Sequence, residues 1–341
     1  MEKKKWTLLY IALNILVIVL IGVLDPEIKE IDKAFNSVRL SWLVGGVAFM
    51  VLYWIMDGII LNYTINCIHK QKYFWKSFKV AVIGQYYNAV TPFASGGQPA
   101  QVYYMAKMGV SGGSASSILI IKFLVYQVVL SLYGALAFIL KGIYIYKYNS
   151  WIFWFSVVGF IVNAGAVVLL VFLSFNKGFV KGLAYNFIDL LNKIRLIREP
   201  DRTKKKLDSH VEDFHIGLRL IKGNTKAIFN MSLMTAVQLL FFFSITFFIY
   251  KGLGLNEEKW FNIVLVQALL YLAVSFIPTP GSTGASETGF MIFFRFFFPS
   301  NLIFVAMLLW RIISYYLNIM AGIVFIFVDS MSNLITSKTS S

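Results

Sequence analysis

Two short stretches decide the fold, and each places a Thr-Pro turn inside an apolar segment. The first reads Thr91-Pro92-Phe93-Ala94-Ser95-Gly96-Gly97-Gln98-Pro99, and the second reads Thr279-Pro280-Gly281-Ser282-Thr283-Gly284-Ala285-Ser286-Glu287. An offset of 188 residues aligns the two Thr-Pro pairs and also aligns Gly96 with Gly284. Hydrocarbon cannot satisfy the backbone groups that such a turn leaves unpaired, so the turn must lie against protein or a water-filled cavity. Paired broken segments in two halves of a chain indicate a transporter's binding site, and the alternative is a pair of surface loops between ordinary spans.

The composition is that of a polytopic membrane protein. Of the 341 residues, 58% are hydrophobic and 17% are aromatic, which is more apolar than a soluble core requires. The net charge of +15 does not indicate a nucleic-acid partner, because the basic residues cluster beside apolar spans. The single cysteine, Cys67, excludes an internal disulfide. The three histidines lie in predicted loops without a further ligand pattern, so we expect no metal and no cofactor.

The apolar segments fall into two length classes. Full spans are predicted at 7–24, 40–63, 113–140, 151–175, 227–250 and 302–328, and shorter segments flank the turns at 77–92, 97–110, 261–278 and 286–298. A full crossing takes about 20 helical residues and a half crossing about 10. The shorter lengths therefore favour two re-entrant hairpins. If each turn instead joined two full crossings, the remaining loops would still lie on the same sides of the membrane. An amphipathic helix at 179–198 is predicted to lie on the anionic inner leaflet.

The distribution of Lys and Arg predicts the orientation. The amino terminus, the loop 64–79 and the loop 176–226 are rich in basic residues, and the last of these carries twelve basic against six acidic residues. We therefore place these segments and the carboxy terminus in the cytoplasm of a bacterial cell. The units 40–140 and 227–328 then have the same order and opposite topology. The predicted fold is an all-α integral membrane protein, one domain over 1–341, with an inverted repeat and two re-entrant helical hairpins.

Around the two turns the sequence resembles a known family, the membrane region of lysyl-phosphatidylglycerol synthases, a flippase-like domain. The resemblance rests on Asn88 to Gln101, with Pro92, Gly96, Gly97 and Pro99, and on Phe276 to Glu287, with Pro278, Pro280, Gly281 and Gly284. It implies movement of aminoacylated phosphatidylglycerol between leaflets and, through it, resistance to antimicrobial peptides. In the bifunctional proteins a separate soluble domain transfers the aminoacyl group. The sequence ends at Ser341, soon after the last span, so we expect no such enzyme activity.

The turns have the chemistry of a lipid head-group site. Helix starts present unpaired N–H groups and partial positive charge, which suits a phosphate. We expect Ser282, Thr283 and Ser286 to cap the second helix start, although such caps need no ligand. The predicted lipid-binding residues are Thr91, Pro92, Ser95, Gly96, Gly97, Gln98, Lys122, Thr279, Pro280, Gly281, Ser282, Thr283, Gly284, Ser286, Glu287 and Arg311.

Three ionisable residues lie deep in the apolar segments. Lys122 and Arg311 are each about ten residues into a span, roughly 15 Å down the helix. A charge at that depth costs roughly 2.5–3.5 kcal/mol, so it should face the interior. Glu287 is the predicted counter-charge of both cations, and Asp57 is expected to meet Lys76 or Lys79. The alternative is a structural ion pair that fastens the two halves together.

These patterns predict a membrane protein that binds and translocates a polar phospholipid, an aminoacylated or another anionic lipid. A separate lipid-modifying enzyme is the expected partner. A non-transporting scaffold or accessory subunit for a lipid-modifying or glycan-assembly enzyme is the alternative. A lipid-modifying enzyme ranks third, because no Ser-His-Asp set, HEXXH motif or carboxylate pair stands out in the sequence.

Overall fold

The structure is a computed structural model that describes residues 38–69, 73–148, 150–193 and 223–339, together with single positions between 201 and 219. These residues form helices and turns, without a strand among them. The helices are α1 Leu40–His69, α2 Phe74–Val90, α3 Gly97–Ala106, α4 Gly112–Tyr148, α5 Ser150–Phe175, α6 Lys177–Lys193, α7 Thr225–Gly252, α8 Trp260–Val274, α9 Ala285–Phe293, α10 Ser300–Arg311 and α11 Leu317–Thr339.

Five segments are long and apolar enough to cross a membrane, and they match the full spans predicted within the described residues. They are Leu40–His69, Gly112–Ile143, Ser150–Leu169, Thr225–Gly252 and Ser300–Asp329. The last consists of α10 and α11 joined by a π-helical segment, Ile312–Tyr316. The predicted span 7–24 lies outside the described residues. The all-α polytopic fold is therefore confirmed, and the amphipathic segment is helical over Lys177–Lys193.

The helices beside the two turns are shorter than the five apolar spans, which favours the predicted re-entrant hairpins. At 1.5 Å per residue, α2 is about 25 Å long, α8 about 22 Å, and α3 and α9 about 15 Å or less, against roughly 30 Å for a bilayer core. Each hairpin also ends near the level where it starts. Asp329 in α11 contacts both Lys79, in the second turn of α2, and Lys107, just after α3. The ring of Phe298, just after α9, packs against Tyr250, close to the start of α8.

The two hairpins start at opposite ends of α1. The amide of Tyr73, which precedes α2, donates to Asn62 near the carboxyl end of α1. The other hairpin follows α7, whose last carbonyl, at Gly252, accepts from the amide of Arg39 at the amino end of α1. Between these ends the two turns contact each other. This arrangement favours the predicted inverted repeat, whose placement in a bilayer stays a prediction.

The two turns share one backbone conformation from the Thr-Pro pair through the 3₁₀ segment and differ after it, where Gly96 has φ −81° and Gly284 has φ 87°. Each has a proline-led 3₁₀ segment, Pro92–Ala94 and Pro280–Ser282, with two consecutive residues of positive φ. Phe93 has φ 54° and ψ 19°, and Gly281, 188 residues later, has φ 60° and ψ 19°. A non-glycine residue in this region costs roughly 1–2 kcal/mol. The first turn therefore carries strain at Phe93 that the second turn avoids with glycine.

Candidate functional site

The first turn is closed by its own side chains. The Thr91 hydroxyl donates to the Tyr87 carbonyl at 2.6 Å and accepts from the Gly96 amide at 2.8 Å. The Asn88 side-chain oxygen accepts from the Gly97 amide at 3.0 Å, at the first residue of α3. The Gly96 and Gly97 N–H groups at the start of α3 are therefore satisfied within the protein rather than left for a ligand.

The second turn is capped by a carboxylate. Glu287 lies in the first turn of α9 and accepts from the Gly284 amide at 2.7 Å through Oε2. The sequence predicts that the hydroxyls of Ser282, Thr283 and Ser286 cap this helix. The Thr283 hydroxyl instead donates to the Pro280 carbonyl at 2.7 Å. An anion at a helix start is favourable because the helix dipole places positive charge there.

Glu287 and Arg311 form a buried ion pair that holds the second turn to α10. Arg311 Nε donates to Glu287 Oε1 at 2.6 Å, and Arg311 Nη2 donates to the Gly281 carbonyl at 3.1 Å. Their side chains are only 1% and 4% exposed. The guanidinium also lies over the ring of Tyr315, 4.9 Å from its centre. Both charges are thus paired and hydrogen-bonded, as burial at this depth requires.

Lys122 has a different partner from the one predicted. Its Nζ lies 2.6 Å from Asp57 Oδ1, so α4 is joined to α1 by a second ion pair. The expectation that Asp57 meets Lys76 or Lys79 is wrong for Lys79, which pairs with Asp329. The expected three-residue cluster is therefore divided into an Asp57–Lys122 pair and a Glu287–Arg311 pair.

The Asp57–Lys122 pair lies in the wall of a cavity of about 480 Å³, called here the central cavity. Asp57 and Lys122 are the charged members of its described lining, which is otherwise rich in amides and tyrosines. The polar lining residues are Tyr53, Asp57, Gln85, Asn88, Gln98, Gln101, Lys122, Tyr126, Gln127, Asn163, Gln238, Tyr271 and Ser275. A cavity with this chemistry inside an apolar helical bundle is suited to a polar ligand.

Hydrogen bonds organise part of this lining. The Gln85 amide donates to Asp57 Oδ2 at 3.0 Å and to the Tyr53 hydroxyl at 3.2 Å. The Tyr126 and Tyr271 hydroxyls lie 3.0 Å apart and share a hydrogen bond. The Gln238 amide nitrogen is buried and has no hydrogen-bond partner among the described residues. A buried donor left unpaired costs roughly 1–3 kcal/mol.

The predicted site residues are distributed unequally around the cavity. Gln98 and Lys122 line it, together with Phe93 and Ala94 of the first turn. The other predicted residues of that turn, Thr91, Pro92, Ser95, Gly96 and Gly97, lie immediately beside these lining residues in the chain. The described lining contains none of the residues from Thr279 to Glu287, nor Arg311. The second turn contacts the first turn instead.

Several lining residues were missed by the sequence interpretation, among them Tyr53, Gln85, Tyr126, Gln238 and Tyr271. The sequence did contain a pattern that identifies some of these residues. Tyr53 and Asp57, and likewise Lys122 and Tyr126, are four residues apart and so share one face of a helix. Polar groups at that spacing in an apolar span indicate a face that is turned inward.

Comparison with known proteins identifies the family. The family described as the lysylphosphatidylglycerol synthase TM region matches residues 8–322, and the chain belongs to it. The chain is 24% identical over 327 residues to a UPF0104 membrane protein of Archaeoglobus fulgidus, covering 91% of this chain and 94% of the relative. It is 22% identical over 342 residues to an uncharacterized protein of Mycoplasma genitalium, covering 92% and 84%. The resemblance seen in the sequence is confirmed, and the chain is a multi-pass membrane protein.

Proposed function

We propose that this member of the lysylphosphatidylglycerol synthase TM-region family binds a phospholipid head group in the central cavity and carries it between leaflets. The observation that supports this function best is the Asp57–Lys122 pair in the cavity wall. Each charge costs roughly 2.5–3.5 kcal/mol within a membrane span. An apolar pair of the same size would avoid that cost, so a ligand that uses the charges explains their presence.

The size and chemistry of the cavity suit a head group. A volume of about 480 Å³ falls within the range of roughly 300–1,000 Å³ that is typical of small-molecule sites. Lys122 would hold the phosphate, and Asp57 would hold an ammonium group of an aminoacylated lipid. The amides of Gln98 and Gln238 supply further donors for phosphate and glycerol oxygens.

The hairpins supply a structural basis for movement. In transporters with inverted repeats, the site lies at the interface of the repeats and one half moves against the other. Here the first turn contributes Phe93 and Ala94 to the cavity and contacts the second turn. A shift of the first hairpin against α4 and α8 would change which side of the cavity is accessible.

The same proposal extends to location and partners. The protein would lie in the bacterial plasma membrane with cytoplasmic termini, and it would take its lipid from a separate lipid-modifying enzyme rather than carry out aminoacyl transfer. A role in antimicrobial peptide resistance would follow from exposing an aminoacylated lipid on the outer leaflet.

Leaflet exchange of a fluorescent phosphatidylglycerol in reconstituted vesicles tests this function. We expect exchange above that of protein-free vesicles, and a loss of at least about tenfold in Lys122→Met, since one charged contact is worth about 1.5–3 kcal/mol. The matched control is Lys79→Met, which removes a lysine that is paired with a carboxylate outside the cavity lining. Folded protein that binds no lipid and exchanges none would leave the scaffold function instead.

A further inference from the structure

The one cation and the one anion of the described cavity lining, Lys122 and Asp57, already form an ion pair with each other. Lys122 Nζ lies 2.6 Å from Asp57 Oδ1, and their side chains are 14% and 3% exposed. A phosphate that binds Lys122 must therefore displace Asp57. The displaced carboxylate would remain in the wall with one hydrogen bond, from Gln85 to Oδ2. A buried charge that loses its partner costs several kcal/mol.

We propose that an anionic phospholipid head group enters the central cavity together with one proton, which Asp57 accepts as Lys122 passes from its carboxylate to the lipid phosphate. This inference rests on the proposed function and specifies its substrate class, a phosphodiester anion, and its co-substrate, the proton. The proton comes from water and binds Oδ1, the oxygen that Lys122 leaves. On release of the lipid, the proton returns to water and Asp57 pairs with Lys122 again.

The balance of charge carries the inference. The empty site contains one negative and one positive charge, so its described lining is neutral. A phosphodiester alone would make the occupied site negative by one charge. With one proton on Asp57, the occupied site is neutral again. Because a low-dielectric interior penalises any net charge, the neutral path is the one of lower free energy.

Asp57 is the group that can take the proton. The titratable groups that face it are Tyr53 on its own helix, Lys122 and Tyr126 on α4, and Tyr271 on α8, while α2 contributes the Gln85 amide. The tyrosines already carry their protons. Lys122 must stay charged to hold a phosphate. Among the described groups this leaves the carboxylate as the acceptor.

The Glu287–Arg311 pair does not have this freedom. Each of its partners also bonds to backbone, Glu287 to the Gly284 amide and Arg311 to the Gly281 carbonyl. Displacing either would break the second turn. An aminoacylated lipid would behave differently from phosphatidylglycerol at Asp57, because its ammonium group takes the place of the proton.

Calorimetry of the full chain in detergent tests the inference, with dioctanoyl phosphatidylglycerol as the probe. Titrations at one pH in two buffers of different ionisation enthalpy give the number of protons taken up. We expect about one proton per lipid, and an affinity that weakens by up to about tenfold per pH unit as pH rises. Dioctanoyl alanyl-phosphatidylglycerol, whose single ammonium group takes the place of the proton, should bind without proton uptake.

Variants of Asp57 and Asp329 identify the group that accepts the proton. Asp57→Asn should bind phosphatidylglycerol without proton uptake, and the matched control Asp329→Asn should still take up one proton. If Asp57→Asn does not fold, the wild-type proton count still decides. Phosphatidylglycerol binding without proton uptake would overturn the inference and leave the proposed function standing. Proton uptake that persists in Asp57→Asn would overturn the choice of acceptor. Absence of both binding and leaflet exchange in the wild type would overturn both proposals.

Discussion

Replacing Arg311 by methionine tests whether the Glu287–Arg311 pair stabilises the fold or binds the ligand. The substitution removes a 2.6 Å charged hydrogen bond to Glu287 and a 3.1 Å hydrogen bond to the Gly281 carbonyl. It also leaves the Glu287 carboxylate, only 1% exposed, with the Gly284 amide as its hydrogen-bond partner among the described residues. Losing two charged hydrogen bonds at about 1.5–3 kcal/mol each would lower the free energy of unfolding by an amount similar to the roughly 3–5 kcal/mol that breaking a buried ion pair costs.

That free energy converts to a measurable shift in melting temperature. An unfolding entropy of about 2.1 cal/mol/K per residue gives about 0.7 kcal/mol/K for a chain of this length, so Arg311→Met should lower Tm by about 4–7 °C. Tryptophan fluorescence during thermal unfolding in detergent measures it. The charge-free double variant Glu287→Gln with Arg311→Met should lose less than the sum of the single losses, because neither charge is then stranded.

Two comparisons make the result decisive. Combining Arg311→Met with Lys122→Met should be additive within about 0.5 kcal/mol, because these residues belong to different pairs with no shared partner. The double variant of Glu287 and Arg311 should also keep leaflet exchange. If Arg311→Met keeps its Tm within about 1 °C but abolishes exchange, then the Glu287–Arg311 pair belongs to the ligand site and the reasoning is wrong.

Three further predictions follow from the turns and the basic loop. Gly281→Ala should destabilise the protein by at least about 1 kcal/mol, because φ is 60° and a Cβ would lie 2.2 Å from a tyrosine ring; a Tm equal to that of the wild type would contradict the turn geometry. In a Cys67→Ser background, a cysteine at the exposed Ser95 should react with a water-soluble maleimide faster than one at the buried Thr283, and equal rates would contradict it. A peptide of residues 179–206 should bind anionic vesicles and lose binding with added salt, since screening acts over roughly 10 Å at 0.1 M; salt-independent binding would remove this idea.

The fold was largely predictable because length and apolarity decide it. Segments such as 113–140 and 227–250 are too apolar for water, and the helices found there begin and end within a few residues of the predicted limits, apart from the end of α4. The turns were predictable because proline and glycine punctuate otherwise apolar runs. The π-helical segment Ile312–Tyr316 was not predictable. It carries no proline or glycine. Its Ser314 carbonyl accepts from the Asn318 side chain, which in turn accepts from the Trp54 indole of α1, a tertiary contact.

Partner choice among the buried charges could not be read from the sequence. The depth of Lys122 and Arg311 along their helices predicted that both side chains face the protein interior. A count of residues from the start of each span is enough to find that depth. Which acid meets which cation depends on the rotation of α1 against α4, and helix packing sets this rotation. The sequence predicts Glu287 as the partner of both cations because it is the most deeply placed acid. Asp57 was assigned to the loop lysines because it is near them in sequence, while the structure turns it toward α4.

The two buried pairs differ because of what surrounds them. Glu287 and Arg311 are saturated by backbone groups of the second turn, so neither can change partner without unfolding that turn. Among the described residues, the partners of Asp57 and Lys122 are side chains, and the pair borders a cavity that can admit a competing ion. A charge is exchangeable when its replacement partner can reach it and when its release breaks no backbone contact. By this criterion, the proposed function assigns the contact with ligand to the first hairpin and α4, and a fixed position to the second hairpin.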